Sequence, residues 1–184
     1  MKALAAPMGY KFPEYDAAFI MWMPAYGFII VDQQGRRFCN ETGLEKYSMW
    51  MEVARFDMGG LRFSRIPSHL IFDERTRLSG PITRAGHGAN RDYKWSDDNS
   101  EEIRRGWIVS GREPAELARG LGIDSARQLG ETLTAYRKAC RTGKDEEFGR
   151  SRETLVELGG RLYGVPLWPC LFNTQGGPQR NANG

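Results

Sequence analysis

The stretch that most constrains this chain is DSARQLGETLTAYRKACRTG, residues 124 to 143. Leu129, Leu133, Tyr136 and Cys140 recur at helical spacing and form one apolar face. Asp124 or Ser125 supplies a side-chain oxygen to cap the first turn, and Gly143 ends the last one. The rest of the chain reads as hairpins, short strands and short helices, with no strand–helix–strand rhythm. Together these elements predict an α+β fold.

The strands are marked by β-branched and aromatic runs. YGFIIVD, residues 26 to 32, reads as one, and the turn at Gln33-Gln34-Gly35 returns through Arg36 to Cys39, making VDQQGRRFCNE a hairpin. HLIFD, residues 69 to 73, is a short buried-type strand bounded by Pro67 and the charged ERTR. Residues 161 to 170 are extended, and Pro166 and Pro169 place that strand at a sheet edge. Between them a helix is expected over 44 to 56, with Leu44, Tyr47, Met51 and Ala54 on its inner face. Another short helix should start at Asn99 or Ser100, followed by a strand-like Trp107-Ile108-Val109 and a helix over 113 to 121. Residues 79 to 98 form a long polar loop, and residues 1 to 16 an irregular lead-in.

Composition removes several function classes. The 26 basic residues are interspersed among 23 acidic ones, a balance that argues against a nucleic-acid or membrane-surface partner for the chain as a whole. Cys39, Cys140 and Cys170 are odd in number and lack a CxxC spacing, which predicts reduced thiols in a cytoplasmic setting rather than a disulfide framework or a structural zinc site. His69 and His87 are the only histidines, so no multi-histidine metal site is expected. His69 reads as a packed strand residue. Trp22, Trp50, Trp95, Trp107 and Trp168 read as packing residues, since no basic stripe accompanies them. No apolar run has the length of a membrane helix. Nucleotide-loop, nucleophile-elbow and zinc-protease motifs are absent.

Four stretches in order carry more. They are GRRFCNE (35 to 41), IFDERTR (71 to 77), the pair ELARGLGID and LGETLTAYRKACRTGKDEEFGR (116 to 150), and NTQGGP (173 to 178). Their order and spacing resemble the substrate-binding capping domain of the fumarate reductase and 3-ketosteroid dehydrogenase superfamily of FAD flavoproteins. The resemblance runs over residues 27 to 180. It implies a lead-in from the FAD-binding domain over 1 to 32, a capping domain over 33 to 160, and a return strand into the FAD-binding part over 161 to 184. The glycine-rich dinucleotide turn that precedes the cap in this superfamily, and the flavin-contacting segment that follows it, have no counterpart in the 184 residues. The expectation is therefore a fragment of a longer flavoprotein that by itself binds FAD weakly or not at all.

The resemblance also implies roles. Arg77 falls where fumarate reductases place a proton-donating arginine, with Arg75 as the neighbouring alternative; the bland reading is an arginine paired to Asp73 or Glu74. Glu45 matches the position of a relay carboxylate, against a plain helix-surface role. Asn40, Glu41 and Asn173 are implied in substrate binding, and Thr174, Gln175, Gly176 and Gly177 in contact with the flavin. Thr42-Gly43-Leu44 stands where a threonine pair would grip a substrate carboxylate, and Asn173 where a carboxylate-binding histidine would stand. Both departures shift the implied substrate from fumarate toward a neutral or larger enone. The implied activity is hydride exchange between flavin N5 and a carbon of an activated C=C or CH–CH bond. The alternative is a stand-alone capping-type domain that binds without catalysis.

Overall fold

The computed structural model describes residues 2–3, 8–10, 18–43, 46–86 and 88–170. Its frame is an antiparallel sheet built on three strands whose every residue is apolar or tightly packed. These are β5 (Phe28–Val31), β6 (Ser68–Asp73) and β8 (Leu162–Pro169). β6 lies between the other two, pairing Phe28 with Phe72 and Val31 with His69 on one side, and Asp73 with Leu162 through Ser68 with Leu167 on the other. On its far flank β8 also pairs with β7 (Val109–Gly111) and with β2 (Met8–Tyr10), which in turn pairs with β3 (Phe19–Ile20). A separate two-stranded ribbon joins β1 (Lys2–Ala3) to β4 (Trp22–Met23).

Alternating side chains divide two cores across this sheet. Phe28, Ile30, Leu70, Phe72, Tyr163, Val165 and Leu167 face one of them, where Phe19, Trp95 and Trp107 pack with Met21 and Met23. Ile29, Val31, Ile71 and Leu162 face the other, closed by α4 (Pro114–Leu121) and α5 (Ala126–Thr142). Leu117, Leu129, Leu133 and Tyr136 are the inward residues of those helices. The expected α5 boundaries are met by their chemistry: Ser125 Oγ accepts from Gln128 N–H, and Gly143 turns left-handed at φ 69°.

Three shorter α-helices and two 3₁₀ turns complete the described residues. α1 spans Lys46–Val53, α2 Glu74–Leu78 and α3 Ser100–Arg104, and a 3₁₀ turn covers Arg152–Thr154. A further 3₁₀ turn, Gly88–Arg91, interrupts the polar loop.

The α+β reading holds, with local corrections. β8 is interior to the sheet, not at its edge. Pro166 lies between the stretch paired to β7 and the stretch paired to β2, so the proline marks a gap between two neighbours rather than an open border. The return arm after Gln33-Gln34-Gly35 is a single bridge, Val31 to Arg37, because the chain turns away to bury Phe38 and Glu41. On α1 the inward residues are Met49 and Val53, whereas Met51 is 80% exposed; the inner face is displaced from the expected one. ERTR is not a charged border but the start of α2, capped by Asp73, whose carboxylate accepts from Thr76 N–H.

Candidate functional site

The site begins at the segment Tyr26-Gly27-Phe28, which enters β5. Two elements hold its carbonyls from different sides. Thr76 Oγ1 of α2 donates to Gly27 O at 2.9 Å. Arg150 donates to Phe28 O and to Tyr26 O, each at 2.7 Å. This gathers GRRFCNE, IFDERTR and DEEFGR around one end of the sheet.

Arg150 is also one of four members of a buried charge cluster. Arg37 grips Glu41 with two bonds, Nε to Oε1 at 2.8 Å and Nη2 to Oε2 at 2.9 Å, and reaches Asp145 at 2.9 Å. Arg150 Nη1 lies 3.2 Å from Glu41 Oε2, and Ile30 N–H donates to Glu41 Oε1 at 3.3 Å. All four charged side chains are buried. Their balance matters because a buried unpaired charge costs several kcal/mol, roughly 3–5 when one partner is removed. Burial acts to lower the Arg37 pKa, but the hydrogen bonds and charges of Glu41 and Asp145 more than offset it, so the guanidinium is held above its ordinary range. The same contacts with Arg37 outweigh burial at Asp145 and draw its carboxyl below the usual value. The rings of Tyr136 and Phe148 lie about the Arg37 guanidinium, 5.1 and 4.9 Å from it.

This arrangement redefines Glu41. Its carboxylate is fully buried and taken up by Arg37, Arg150 and the Ile30 N–H, so the structure places it as the hub of the cluster, not on a surface that a substrate meets. Asn40 is half-buried; its amide donates to Gly149 O at 3.2 Å, and its oxygen accepts from Thr42 N–H and Thr42 Oγ1 at 3.1 Å. Thr42 Oγ1 in turn meets Thr154 Oγ1 at 3.1 Å. Sequence reading missed Asp145 and Thr154. The signal was there for Asp145, an acid in the same motif as Arg150 and flanked by a turn, but pairing across more than a hundred residues has no local signature.

Arg77 sits at the same end of the sheet, after β6 and within α2. Its Nη2 and Nε bind Glu74 at 2.6 and 2.8 Å, and its Nη1 donates to Asp98 O at 2.5 Å. The Glu74 hydrogen bond raises the Arg77 pKa and, reciprocally, draws Glu74 down to about 2. Arg77 therefore keeps its proton firmly. Arg75, the alternative, instead holds Asp73 through Nε and Nη2 at 2.9 and 2.8 Å and is mostly exposed. Glu45, His87, Asn173, Thr174, Gln175, Gly176 and Gly177 lie outside the described residues.

His69 packs in β6 as expected. It is 1% exposed, and neither ring nitrogen has a hydrogen-bond partner among the described residues. No cluster of three or more potential metal ligands occurs among them either. A dinucleotide phosphate would need free N–H groups at a helix start. α2 starts at Asp73 and α4 at Glu113, both acidic, α3 carries Glu101 and Glu102 in its first turn, and the α5 start is satisfied by Ser125. None of these four helix starts suits an FAD pyrophosphate.

No protein-family model matches the chain. It is 30% identical over 156 residues to an NADH:acrylate oxidoreductase of Vibrio harveyi, across 84% of this chain and 13% of that protein. It is 30% identical over 162 residues to an NADH:fumarate oxidoreductase of Klebsiella pneumoniae, across 86% of this chain and 14% of that protein. A 3-oxosteroid 1-dehydrogenase of Mycobacterium tuberculosis shares 27% over 180 residues, covering 86% of this chain and 30% of its own. The chain thus spans less than a third of these relatives.

Among solved structures, the 3-ketosteroid delta1-dehydrogenase of Sterolibacterium denitrificans superposes with a TM-score of 0.64 at 19% identity, over 90% of this chain and 31% of that one. The fumarate reductase flavoprotein subunit of Lactobacillus plantarum superposes at 0.56 with 21% identity, over 83% of this chain and 88% of the other. These two likenesses establish a shared fold. The relatives fall in the same fumarate reductase and 3-ketosteroid dehydrogenase group that the motifs resemble. No helix among the described residues is long and apolar enough to cross a membrane.

Proposed function

We infer that the chain forms the substrate-capping segment of a flavin-dependent oxidoreductase acting on a CH–CH or C=C bond activated by a carbonyl or carboxylate. The observation that carries this reading is that the IFDERTR and DEEFGR stretches converge on Tyr26-Gly27-Phe28 through Thr76 and Arg150, with GRRFCNE joined to them through Glu41. The similarity to acrylate, fumarate and 3-oxosteroid oxidoreductases supports it. FAD would be held by other parts of a longer polypeptide, since none of the four helix starts suits its phosphates, and the redox step would be the flavin's.

What this segment would contribute is orientation, exclusion of water and a proton. Arg77, in the role of acid, is clamped by Glu74, which holds the guanidinium in one pose and raises its pKa. Such a group donates only to a strongly basic acceptor, such as a carbanion next to a carbonyl. Glu74 and Asp98, both in contact with Arg77, are held as carboxylates below their usual range, and both are partly open to solvent, so water reaching the guanidinium past them would return the proton. Asn40 keeps a second amide N–H beyond its bond to Gly149 O, and a donor without charge suits an enone better than a dicarboxylate.

The test is an assay of a polypeptide carrying this segment together with a flavin-binding part. Reduction of acrylate or fumarate, or dehydrogenation of a 3-oxosteroid, should fall by at least about a hundredfold in Arg77→Gln if it is the acid. Unchanged turnover would remove Arg77 from the chemistry, and absence of all these activities would remove the reading itself. The second reading, a capping-type domain that binds without catalysis, rests on the misfit to FAD. A flavin absorption band co-eluting with the 184-residue chain would count against it.

A further inference from the structure

A cleft of about 340 Å³ opens between the turn that follows β5, the first turns of α5 and the DEEFGR stretch. It lies at the end of the sheet where Val31 pairs with His69, whereas Arg77 follows Asp73 at the other end of β6. Clefts of this size hold small molecules.

The cations in its wall are already matched. Arg36 is bound to Asp32, Arg37 to Glu41 and Asp145, and Arg65 to Glu52. A phosphate or carboxylate would find no unshared guanidinium there. An ammonium ion would meet Glu147, which pairs with no cation among the described residues, but it would face the Arg37 charge behind that carboxylate.

What is unmatched in the cleft is largely uncharged. The Gln128 amide and the Ser64 and Thr132 hydroxyls bond to no other described residue. Thr132 is the telling one, because it is only 9% exposed and a hydroxyl so deeply placed is ordinarily hydrogen-bonded within the protein. Burial also holds the Glu147 carboxyl above its usual range, against the pull of Arg37. Phe38 and Phe148 add ring surface, each backed by a guanidinium, Arg65 at 4.8 Å and Arg37 at 4.9 Å.

The four polar groups form a mixed set: an amide and two hydroxyls that donate and accept, and a carboxylate that accepts. Neighbouring hydroxyls of a polyol meet all of them, since each gives one hydrogen and takes another, while its C–H face lies against a phenyl ring. We propose that this cleft binds a small neutral polyol, a monosaccharide or cyclitol, held by Gln128, Thr132, Ser64 and Glu147. The site is separate from the Arg77 end and does not rest on the oxidoreductase reading.

The experiment is an NMR titration of the ¹⁵N-labelled 184-residue chain with glucose and with myo-inositol, using acetate and methylammonium as charged probes. Saturable shifts should appear at the Gln128 side-chain amide and at the Thr132 and Glu147 backbone N–H groups with at least one polyol. Its binding should be at least about tenfold tighter than that of either ion. Gln128→Ala and Thr132→Val should each weaken it about tenfold, with resonances elsewhere unmoved to show that the fold is kept. Shifts that fail to saturate with both polyols would overturn the proposal, as would equal or tighter binding of either ion, or polyol binding unchanged in both variants. A longer polypeptide carrying this segment should bind the same polyol; loss of binding there would also overturn the proposal, by assigning the cleft to the rest of that polypeptide.

Discussion

Arg150 and Glu41, 109 residues apart in sequence, meet at 3.2 Å inside the protein. That contact joins the GRRFCNE and DEEFGR stretches into a single structural unit. Arg150 directs its remaining donors to the carbonyls of Tyr26, Phe28 and Thr154 and to the Thr154 hydroxyl, so one guanidinium closes the cluster and fixes the strand entry together.

Glu41→Gln should therefore destabilise the chain by about 3 kcal/mol or more, because it leaves Arg37 and Arg150 buried with one fewer negative charge between them. Urea denaturation measures this. The loss in Glu41→Gln with Arg37→Met should be smaller than the sum of the two single losses, since they share one interaction. Additive losses would dissolve the cluster into independent contacts.

Asn99 offers a sharper case. Its side-chain oxygen accepts from Ile82 N–H and Trp95 Nε1–H, and its amide donates to Arg77 O and Gly80 O. Asn99→Asp keeps the shape and loses both donors, while burying a charge. It should cost at least as much as Asn99→Ala, about 2–3 kcal/mol. An Asp variant as stable as the native chain would show that the amide bonds contribute nothing.

His69 makes stability depend on pH. Burial pushes its pKa down to about 4, against the opposing pull of Asp32 and Asp124. The unfolded chain takes up this proton near 6.5, so between 6.5 and 4 it binds more protons than the folded one, and stability falls as pH drops through that window. The His69 contribution to that fall is about 3 kcal/mol. Denaturation curves at neutral and mildly acidic pH should show a clearly shallower dependence in His69→Val, and an unchanged slope would place the effect elsewhere.

Gly164 sits where α4 crosses β8. A Cβ there would lie 2.6 Å from Leu121 Cδ1 and 3.0 Å from Leu70 O, so Gly164→Ala should cost about 1–3 kcal/mol by displacing the Leu121 side chain and crowding the Leu70 carbonyl. Thermal unfolding is a sufficient readout. Leu121→Ala in the same chain should recover part of the loss, because it removes the nearer obstacle.

The parts legible in the sequence were those fixed by local chemistry. The capping serine and closing glycine of α5, the apolar runs of β5 and β6, and the turn before Arg36 all act over a few residues. The errors came from signals whose meaning depends on distant partners. Two prolines in β8 read as an edge, but its neighbours on that flank are paired to either side of Pro166. Glu41 read as a substrate contact since a lone motif cannot show that Arg150 and Asp145 complete it. Met51 read as inward, although α1 turns Met49 and Val53 in and leaves Met51 exposed. At the candidate site the order of motifs was visible, but the grip of Thr76 and Arg150 on Tyr26-Gly27-Phe28 was not.

The interior place of β8 has a consequence for synthesis. β8 leaves the ribosome after every strand it pairs with, so β2, β6 and β7 emerge with their hydrogen-bonding edges open. The sheet cannot close until residues 162 to 169 are available to pair, because β2 and β7 join β6 only through them. During that interval the exposed edges are the nascent chain's principal hazard, and a holding chaperone would protect it most if it engaged β6 before β8 appears.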